Sequence, residues 1–168
     1  MSEQVMIVGA SGRMGRFAAD WIAAHADDLA VGPGVDRGED LAARIERDRP
    51  AVGLDLTVAG LGAAHAEVFL RAGVPVVVGT SGVAAEADSA LDAIARERGV
   101  AGLVVPNFCL GVWLQQEMAR LAARHLASFE IVEEHHARKK DAPSGTAADT
   151  ARQLAEETGR DAADVPIH

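Results

Sequence analysis

Short apolar segments alternate with amphipathic ones along most of this chain, and this alternation limits the fold more than any other feature. The apolar runs predict strands at Val5–Val8, Leu29–Val35, Val52–Thr57, Val74–Val78 and Leu103–Val105. Helical spacing predicts a helix with one apolar stripe through Met14, Phe17, Ala18, Trp21 and Ile22, and further helices near Leu41–Arg49, Ala63–Ala72 and Ala85–Arg98. Strands that alternate with helices favour a parallel sheet covered on both faces. We therefore predict an α/β domain over residues 1–106.

The pattern changes after Pro106. A longer helix is predicted over Gly111–His125, followed by a strand at Phe129–Glu133 and a helix near Thr146–Glu157. We interpret residues 107–168 as a second, partial α+β domain.

Composition narrows the functional classes. The 168 residues carry a formal net charge of −9, which repels nucleic acid and anionic lipid. No run reaches the roughly 18 apolar residues of a membrane span, and no signal-type segment opens the sequence. The one cysteine, Cys109, excludes an internal disulfide and is typical of a reducing compartment. These observations predict a cytoplasmic protein without a nucleic-acid or membrane partner.

A glycine-rich loop lies between the first predicted strand and the first predicted helix. It reads Gly9-Ala10-Ser11-Gly12-Arg13-Met14-Gly15, which is a G-x-x-G-x-x-G spacing. Such a loop lets backbone amides approach a pyrophosphate at a helix start, where the partial positive charge favours phosphate. Three glycines that merely close a strand-to-helix turn are the alternative. The strand before the loop and the amphipathic helix after it favour dinucleotide binding.

Asp36 and Arg37 follow the second predicted strand. Asp36 lies about 20 residues beyond Gly15, the spacing at which an acidic residue binds the hydroxyls of the adenosine ribose. Arg37 either meets a 2′-phosphate or is a solvated loop charge. The pair favours a site that accepts both NADH and NADPH.

The densest basic stretch of this acidic chain lies in the second predicted domain. His135-His136-Ala137-Arg138-Lys139-Lys140 is followed by Pro143-Ser144-Gly145-Thr146 at a predicted helix start. A lysine together with exposed amides and hydroxyls at a helix start suits a carboxylate. A solvated basic loop is the alternative for the Arg-Lys-Lys part alone, but the turn that follows favours an anion pocket.

Four motifs in the same order resemble the 4-hydroxy-tetrahydrodipicolinate reductase (dihydrodipicolinate reductase) family. Glu134-His135-His136 through Lys139, followed by Asp141–Ala147, resembles the family pattern E-x-H-H-x-x-K-x-D-A-P-S-G-T-A. Gly9–Arg16 resembles the family's nucleotide loop, Gly79-Thr80-Ser81-Gly82 its G-T-T-G, and Pro106–Val112 its A-N-F-S-x-G-V segment. The resemblance covers the whole chain and implies a Rossmann-like parallel sheet followed by a substrate domain.

The resemblance implies the reduction of 4-hydroxy-tetrahydrodipicolinate, a cyclic dicarboxylate, to tetrahydrodipicolinate with NADH or NADPH, in lysine and diaminopimelate biosynthesis. By the same resemblance, His135 would supply a proton to the substrate and Lys139 would support it. The implied substrate-binding residues are His136, Lys139, Ser144, Gly145 and Thr146. The implied cofactor-binding residues are Gly9, Ala10, Ser11, Gly12, Arg13, Met14, Gly15, Asp36, Arg37, Gly79, Thr80, Ser81, Asn107 and Phe108. No metal is implied, and the family assembles as homo-tetramers.

The sequence also departs from the family pattern. Cys109 replaces the usual serine, and we interpret it as a packed thiol rather than a nucleophile. Family members continue well beyond His168, so the chain is expected to be cut short and Leu154 to lack cover. Two other functions stay open. One is a related nicotinamide-dependent amino-acid dehydrogenase, such as an aspartate or homoserine dehydrogenase, and the other is a nucleotide-binding remnant without turnover.

Overall fold

The computed structural model describes residues 2–80, 82–105, 107–135 and 142–168, apart from the side chains of residues 85 and 86. The chain folds as two compact units, Met1–Val105 and Pro106–His168. No helix within the described ranges has both the length and the apolar character needed to cross a membrane.

Unit 1 is built on a parallel sheet with helices on both faces. Its strands are β1 (Glu3–Val8), β2 (Leu29–Val31), β3 (Val52–Asp55), β4 (Val76–Val78) and β5 (Gly102–Val104), in the spatial order β2-β1-β3-β4-β5. Its helices are α1 (Arg13–His25), α2 (Leu41–Asp48), α3 (Gly62–Arg71) and α4 (Ala85–Arg98). Every neighbouring pair of strands is parallel. The predicted Rossmann-like α/β fold is confirmed.

The central strand β1 supplies side chains to two cores. Val5 and Ile7 pack with Ile22 of α1 on one face of the sheet. Met6 and Val8 belong to the larger core on the other face, which α2, α3 and α4 cover. Successive residues of a strand point to opposite faces, so a strand buried on both faces must be apolar throughout. This explains the uninterrupted apolar run Val5–Val8 within β1.

The predicted strand Leu29–Val35 is interrupted. Regular pairing ends at Val31, and the chain returns to the sheet only at Val35, which pairs with Val8. Pro33 lies in the gap, and because proline has no N–H it cannot donate to the neighbouring strand. The interruption falls on β2, an edge strand of the sheet. Its neighbour β1 still pairs with β3 on the other side, so the sheet stays continuous.

The predicted apolar stripe of α1 is only partly correct. Ile22 is buried, but Phe17 and Trp21 are 62% and 52% exposed. The helix instead turns Gly15 and Ile22 inward, and Ala18 and Ala19 pack beside them against the core of β1. Small side chains let the helix approach the strand closely, so they take the inner face although larger apolar residues were available.

Unit 2 contains two long helices, α5 (Leu110–Ala123) and α6 (Gly145–Thr158), and a short 3₁₀ helix at Ala162–Asp164. The predicted strand Phe129–Glu133 is wrong as a continuous strand. Ile131 forms an isolated parallel bridge with Ile167. Its N–H donates to the Pro166 carbonyl, its carbonyl accepts from the His168 N–H, and the Glu133 N–H donates to the His168 carbonyl. A strand needs a partner along its length, and in the described part of unit 2 only this short segment provides one.

The expectation that Leu154 would lack cover is also wrong. Leu154 is 4% exposed, and its neighbours Ala151 and Ala155 pack with Val165 in the core of unit 2. Most of the exposed large apolar side chains described in unit 2 lie instead on α5, namely Leu110, Trp113, Leu114, Met118 and Leu121. The helix whose apolar face is uncovered is therefore α5 and not α6.

An ionic cluster joins the carboxyl-terminal end of α5 to α6. Glu157 accepts hydrogen bonds from Arg124 Nε at 2.6 Å and from Arg120 Nη2 at 3.0 Å. These two guanidinium groups lower the pKa of the Glu157 carboxyl, chiefly through the hydrogen bond from Arg124. The carboxylate therefore stays ionised where the two helices meet.

Candidate functional site

The glycine-rich loop lies where it was predicted, between β1 and α1. Gly9 has a φ of +84°, and a Cβ on it would lie 2.9 Å from the carbonyl oxygen of Leu56. Gly12 is the residue immediately before α1, with its N–H bonded to the carbonyl of Gly9 at 3.0 Å. Gly15 lies inside the first turn of α1, where a Cβ would meet the Gly9 carbonyl oxygen at 2.2 Å. The backbone is folded so tightly here that a side chain is excluded at Gly9 and at Gly15.

A cleft of about 890 Å³ opens beside this loop. The predicted cofactor residues that line it are Gly9, Ser11, Gly12, Arg13, Met14, Asp36 and Arg37. Two predicted cofactor residues of the loop do not line it: the Ala10 side chain lies beside Gly34, and Gly15 is buried in α1. The same cleft is lined by Leu56, Thr57, Val58, Leu61 and His65, none of which the sequence indicated. The fold thus gathers most of the predicted residues of unit 1 on one concave surface.

Asp36 is tied directly to the glycine-rich loop. Its carboxylate accepts hydrogen bonds from the Ser11 N–H at 3.1 Å and from the Ser11 hydroxyl at 2.9 Å. Arg37 beside it is exposed. These two bonds from Ser11 fix the loop to the segment that follows β2, and they leave other lone pairs of the Asp36 carboxylate for a ligand.

A buried polar network lies at the carboxyl ends of β3 and β4, and the sequence analysis missed it. Asp55 is completely buried, and its Oδ1 accepts bonds from the Thr57 N–H at 3.1 Å and the Thr57 hydroxyl at 2.8 Å. The Thr80 hydroxyl donates to the same oxygen. His65 Nδ1 lies 2.5 Å from Asp55 Oδ2. In addition, the Gly79 N–H donates to the Asp55 carbonyl at 2.8 Å. Asp55 therefore bonds both Gly79 and Thr80, the two predicted cofactor residues of the G-T-T-G segment that lie within the described ranges.

In unit 2, His135 and Ser144 are linked through Glu133. One carboxylate oxygen of Glu133 accepts from the Ser144 N–H at 2.9 Å, and the other lies 3.7 Å from His135 Nδ1. The Ser144 hydroxyl accepts from the Ala147 N–H and so caps α6. Glu133 was overlooked, although the family pattern E-x-H-H places an acidic residue two positions before His135.

A cavity of about 630 Å³ brings these residues together with Thr146 and Asn107. Asn107 Nδ2 donates to the Thr146 hydroxyl over 3.4 Å, and its Oδ1 accepts from the Cys109 N–H at 2.7 Å. Gln116, from α5, lines the same cavity and donates to Thr150 at 3.0 Å. Gly145 begins α6 beside Ser144. Of the predicted substrate residues, Ser144 and Thr146 therefore line one cavity, and Gly145 lies between them in the sequence.

Three further observations concern the predicted residues. Phe108 is half exposed. Cys109 lies immediately before the first turn of α5, where its side chain is exposed. Its interpretation as a packed thiol is therefore wrong. Ser81, His136 and Lys139 lie outside the described residues, and their predicted roles stay predictions.

Comparison with known proteins decides the family. Residues 3–108 match the family model described as dihydrodipicolinate reductase, N-terminus, and residues 111–168 match the one described as dihydrodipicolinate reductase, C-terminus. The chain belongs to the dihydrodipicolinate reductase family. It is 38% identical to the 4-hydroxy-tetrahydrodipicolinate reductase of Moorella thermoacetica over 94% of this chain and 66% of that protein. It is 41% identical to that of Beutenbergia cavernae over 95% of this chain and 64% of that protein. The chain thus spans about two thirds of the length of these relatives.

One solved structure agrees with this assignment, and a second shares the fold. The dipicolinate-bound dihydrodipicolinate reductase from Paenisporosarcina sp. TG-14 aligns with all of this chain and 78% of its own, with a TM-score of 0.73 and 28% identity. An archaeal homoserine dehydrogenase in complex with NADPH aligns over 63% of this chain and 44% of its own, with a TM-score of 0.56 and 18% identity. At that identity the second likeness shows a shared fold alone.

Proposed function

We propose that this chain carries out, in the cytoplasm, the NAD(P)H-dependent reduction of 4-hydroxy-tetrahydrodipicolinate to tetrahydrodipicolinate. In this proposal residues 1–106 bind the cofactor and residues 107–168 bind the dicarboxylate. The observation that carries the proposal is that both family models match in order, and that each falls on a unit with its own concave site. The reductase of Paenisporosarcina, which its name describes as dipicolinate-bound, supports a cyclic dicarboxylate ligand.

The residues of unit 1 fit a nicotinamide dinucleotide. Side chains are excluded at Gly9 and Gly15, so a pyrophosphate can approach the backbone of the loop. Asp36 suits the ribose hydroxyls, and Arg13 and Arg37 bring positive charge to the same cleft. The family resemblance adds Gly79, Thr80, Ser81, Asn107 and Phe108 to the proposed cofactor-binding residues. A bound nicotinamide would supply the hydride.

The residues of unit 2 provide the other requirements of the reaction. The substrate ring loses water overall and gains one hydride and one proton. His135 supplies the proton, since an imidazole can transfer protons near neutral pH. The backbone amides at the start of α6 and the Thr146 hydroxyl hold a carboxylate, with His136 and Lys139 as further ligands. The Glu133 carboxylate orients the His135 ring from its Nδ1 side.

The proposal is tested by following the oxidation of NADH and NADPH by the purified chain with 4-hydroxy-tetrahydrodipicolinate. Substrate-dependent oxidation is the expected result. Tight cofactor binding without any turnover would contradict the proposed reaction and identify a nucleotide-binding protein. Sedimentation of the same preparation tests whether the chain forms the homo-oligomer that the family resemblance implies.

Arg37→Ala is expected to weaken NADPH binding by about tenfold while changing NADH binding little, because only NADPH carries a 2′-phosphate. The wild-type affinities for the two cofactors should lie within about an order of magnitude, since Asp36 suits one ribose and Arg37 the other. Titration of both cofactors into both proteins measures the difference. Equal losses for NADH and NADPH would show that Arg37 does not bind the phosphate.

Thr146→Val is expected to raise KM for the dicarboxylate with a much smaller change in kcat. The substitution keeps the shape of the side chain but removes its hydroxyl, which belongs to the ground-state carboxylate site in our proposal. A loss of about 1 kcal/mol, roughly fivefold in KM, corresponds to one hydrogen bond. Thr158→Val, at the far end of the same helix, is the matched control and should leave KM unchanged. A fall in kcat with constant KM in Thr146→Val would contradict this role.

A further inference from the structure

The Asp55 network in unit 1 is more elaborate than the fold requires. A fully buried carboxylate is costly unless all its lone pairs are satisfied. Here the Thr57 N–H, two threonine hydroxyls and a histidine ring surround it. An apolar residue at the end of β3 would fill the same place without that requirement. The proposed function assigns no role to Asp55 or to His65.

The position of the network along the sheet indicates which part of a dinucleotide it can reach. Asp36 follows β2, the glycine-rich loop follows β1, Asp55 ends β3, and Thr80 follows β4. Because the strand order is β2-β1-β3-β4, Asp55 lies on the opposite side of the glycine-rich loop from Asp36. Three strand spacings of about 4.8 Å separate the ends of β2 and β4, roughly 14 Å in all. If the adenosine lies at Asp36, the network faces the nicotinamide half.

His65 connects this buried network to the cleft. It lies in the first turn of α3, with Nδ1 bonded to Asp55 and with 23% of its side chain exposed. His65 lines the cleft beside the glycine-rich loop, together with Gly9, Gly12, Thr57 and Asp36. A carboxylate bonded to one ring nitrogen fixes the ring and leaves the other nitrogen for a second partner.

We propose that His65 is a cofactor-binding residue, oriented by Asp55, whose second ring nitrogen bonds an oxygen of the pyrophosphate or the ribose on the nicotinamide side. Asp55 is a positioning residue in this arrangement. It holds His65 through Oδ2, while its Oδ1 accepts the structural hydrogen bonds from Thr57 and Thr80. The inference rests on the proposed binding of a nicotinamide dinucleotide in unit 1.

The test is a series of ligands that extend from the adenosine side, namely AMP, ADP-ribose and NADH, titrated into the wild-type chain and His65→Phe. AMP affinity should be unchanged, since AMP ends before the network. ADP-ribose and NADH should each bind about tenfold more weakly, the loss expected for one hydrogen bond to a charged or strongly polar group. His65→Gln, which keeps an amide donor, should recover part of the affinity. Equal losses for all three ligands in His65→Phe, or no loss for any, would overturn the inference.

His25→Phe is the matched control, because His25 is exposed at the end of α1 and stacks on Trp21 outside the cleft. It should bind all three ligands as the wild type does.

The role of Asp55 is tested by adding Asp55→Asn to His65→Phe. If Asp55 acts through the histidine, the double variant should lose little more ADP-ribose affinity than the stronger of the two single variants. Additive losses would overturn the positioning role, and the ligand series with His65→Phe decides the binding role even if Asp55→Asn does not fold.

The failure of this inference can be told apart from the failure of the proposed function. A wild-type chain that binds neither ADP-ribose nor NADH would refute dinucleotide binding itself, and the role of His65 with it. A wild-type chain that binds both, with a His65→Phe variant that binds both equally well, would refute only the role of His65.

Discussion

Gly15→Ala is expected to weaken NADH binding by roughly 5- to 150-fold, the equivalent of about 1–3 kcal/mol of overpacking. A Cβ at this position would lie 2.2 Å from the Gly9 carbonyl oxygen and 2.8 Å from the Ala10 Cα. Both are backbone atoms, so no side-chain rotation can relieve the contact. Only a displacement of the loop relative to α1 makes room, and that displacement moves the amides that are proposed to bind the pyrophosphate.

Gly111→Ala is the matched control for this variant. Gly111 also lies in the first turn of a helix, but a Cβ there would meet nothing closer than the Cys109 Sγ at 3.7 Å. Alanine is the better helix former by about 1 kcal/mol, so this variant should unfold at the same or a higher temperature. NADH titration and thermal unfolding of both variants measure the contrast. A Gly15→Ala variant with wild-type affinity would show that the loop does not need its observed shape to bind the cofactor.

Much of the fold could be predicted because its signals are local. The apolar run of β1 and the helical period of α4 are properties of a few consecutive residues, and both elements lie where they were predicted. The exposure of Phe17 and Trp21 is not local. It depends on which face of α1 fits closely against β1 and the loop at Gly9. The sequence of the helix alone does not contain that information. The segment Phe129–Glu133 failed for the same reason, because strand propensity does not supply a pairing partner.

The same distinction between local and non-local signals applies to the residues of the candidate site. The glycine-rich loop and the segment from His135 to Thr146 are contiguous motifs, so spacing and resemblance were enough to find them. Asp55 and Thr80 are 25 residues apart, and Asp55 lay inside a predicted strand. Only the parallel order of β3 and β4 brings them together. A usable signal did exist, since polar residues at the carboxyl ends of adjacent parallel strands meet at the edge of the sheet where ligands bind.

His135→Ala is expected to lower kcat by about 10²–10⁴ if the histidine supplies a proton in the reaction. KM should change much less, because the groups proposed to hold the carboxylate, Thr146 and the amides at the start of α6, remain in place. The structure supports this separation of roles. His135 has Glu133 beside its Nδ1 at 3.7 Å, whereas Thr146 bonds Asn107 and has no described contact with that carboxylate.

His125→Ala is the matched control, since His125 lies just beyond α5 and does not line the cavity that contains His135. It should retain wild-type kcat and KM. Glu133→Gln separates orientation from proton supply, because the amide keeps the size of the side chain but loses the charge beside the ring. It should lower kcat less than His135→Ala does, and combining the two changes should cost little beyond His135→Ala alone. An unaltered kcat in His135→Ala would remove this histidine from the mechanism, and the proton would then have to come from Lys139 or from water.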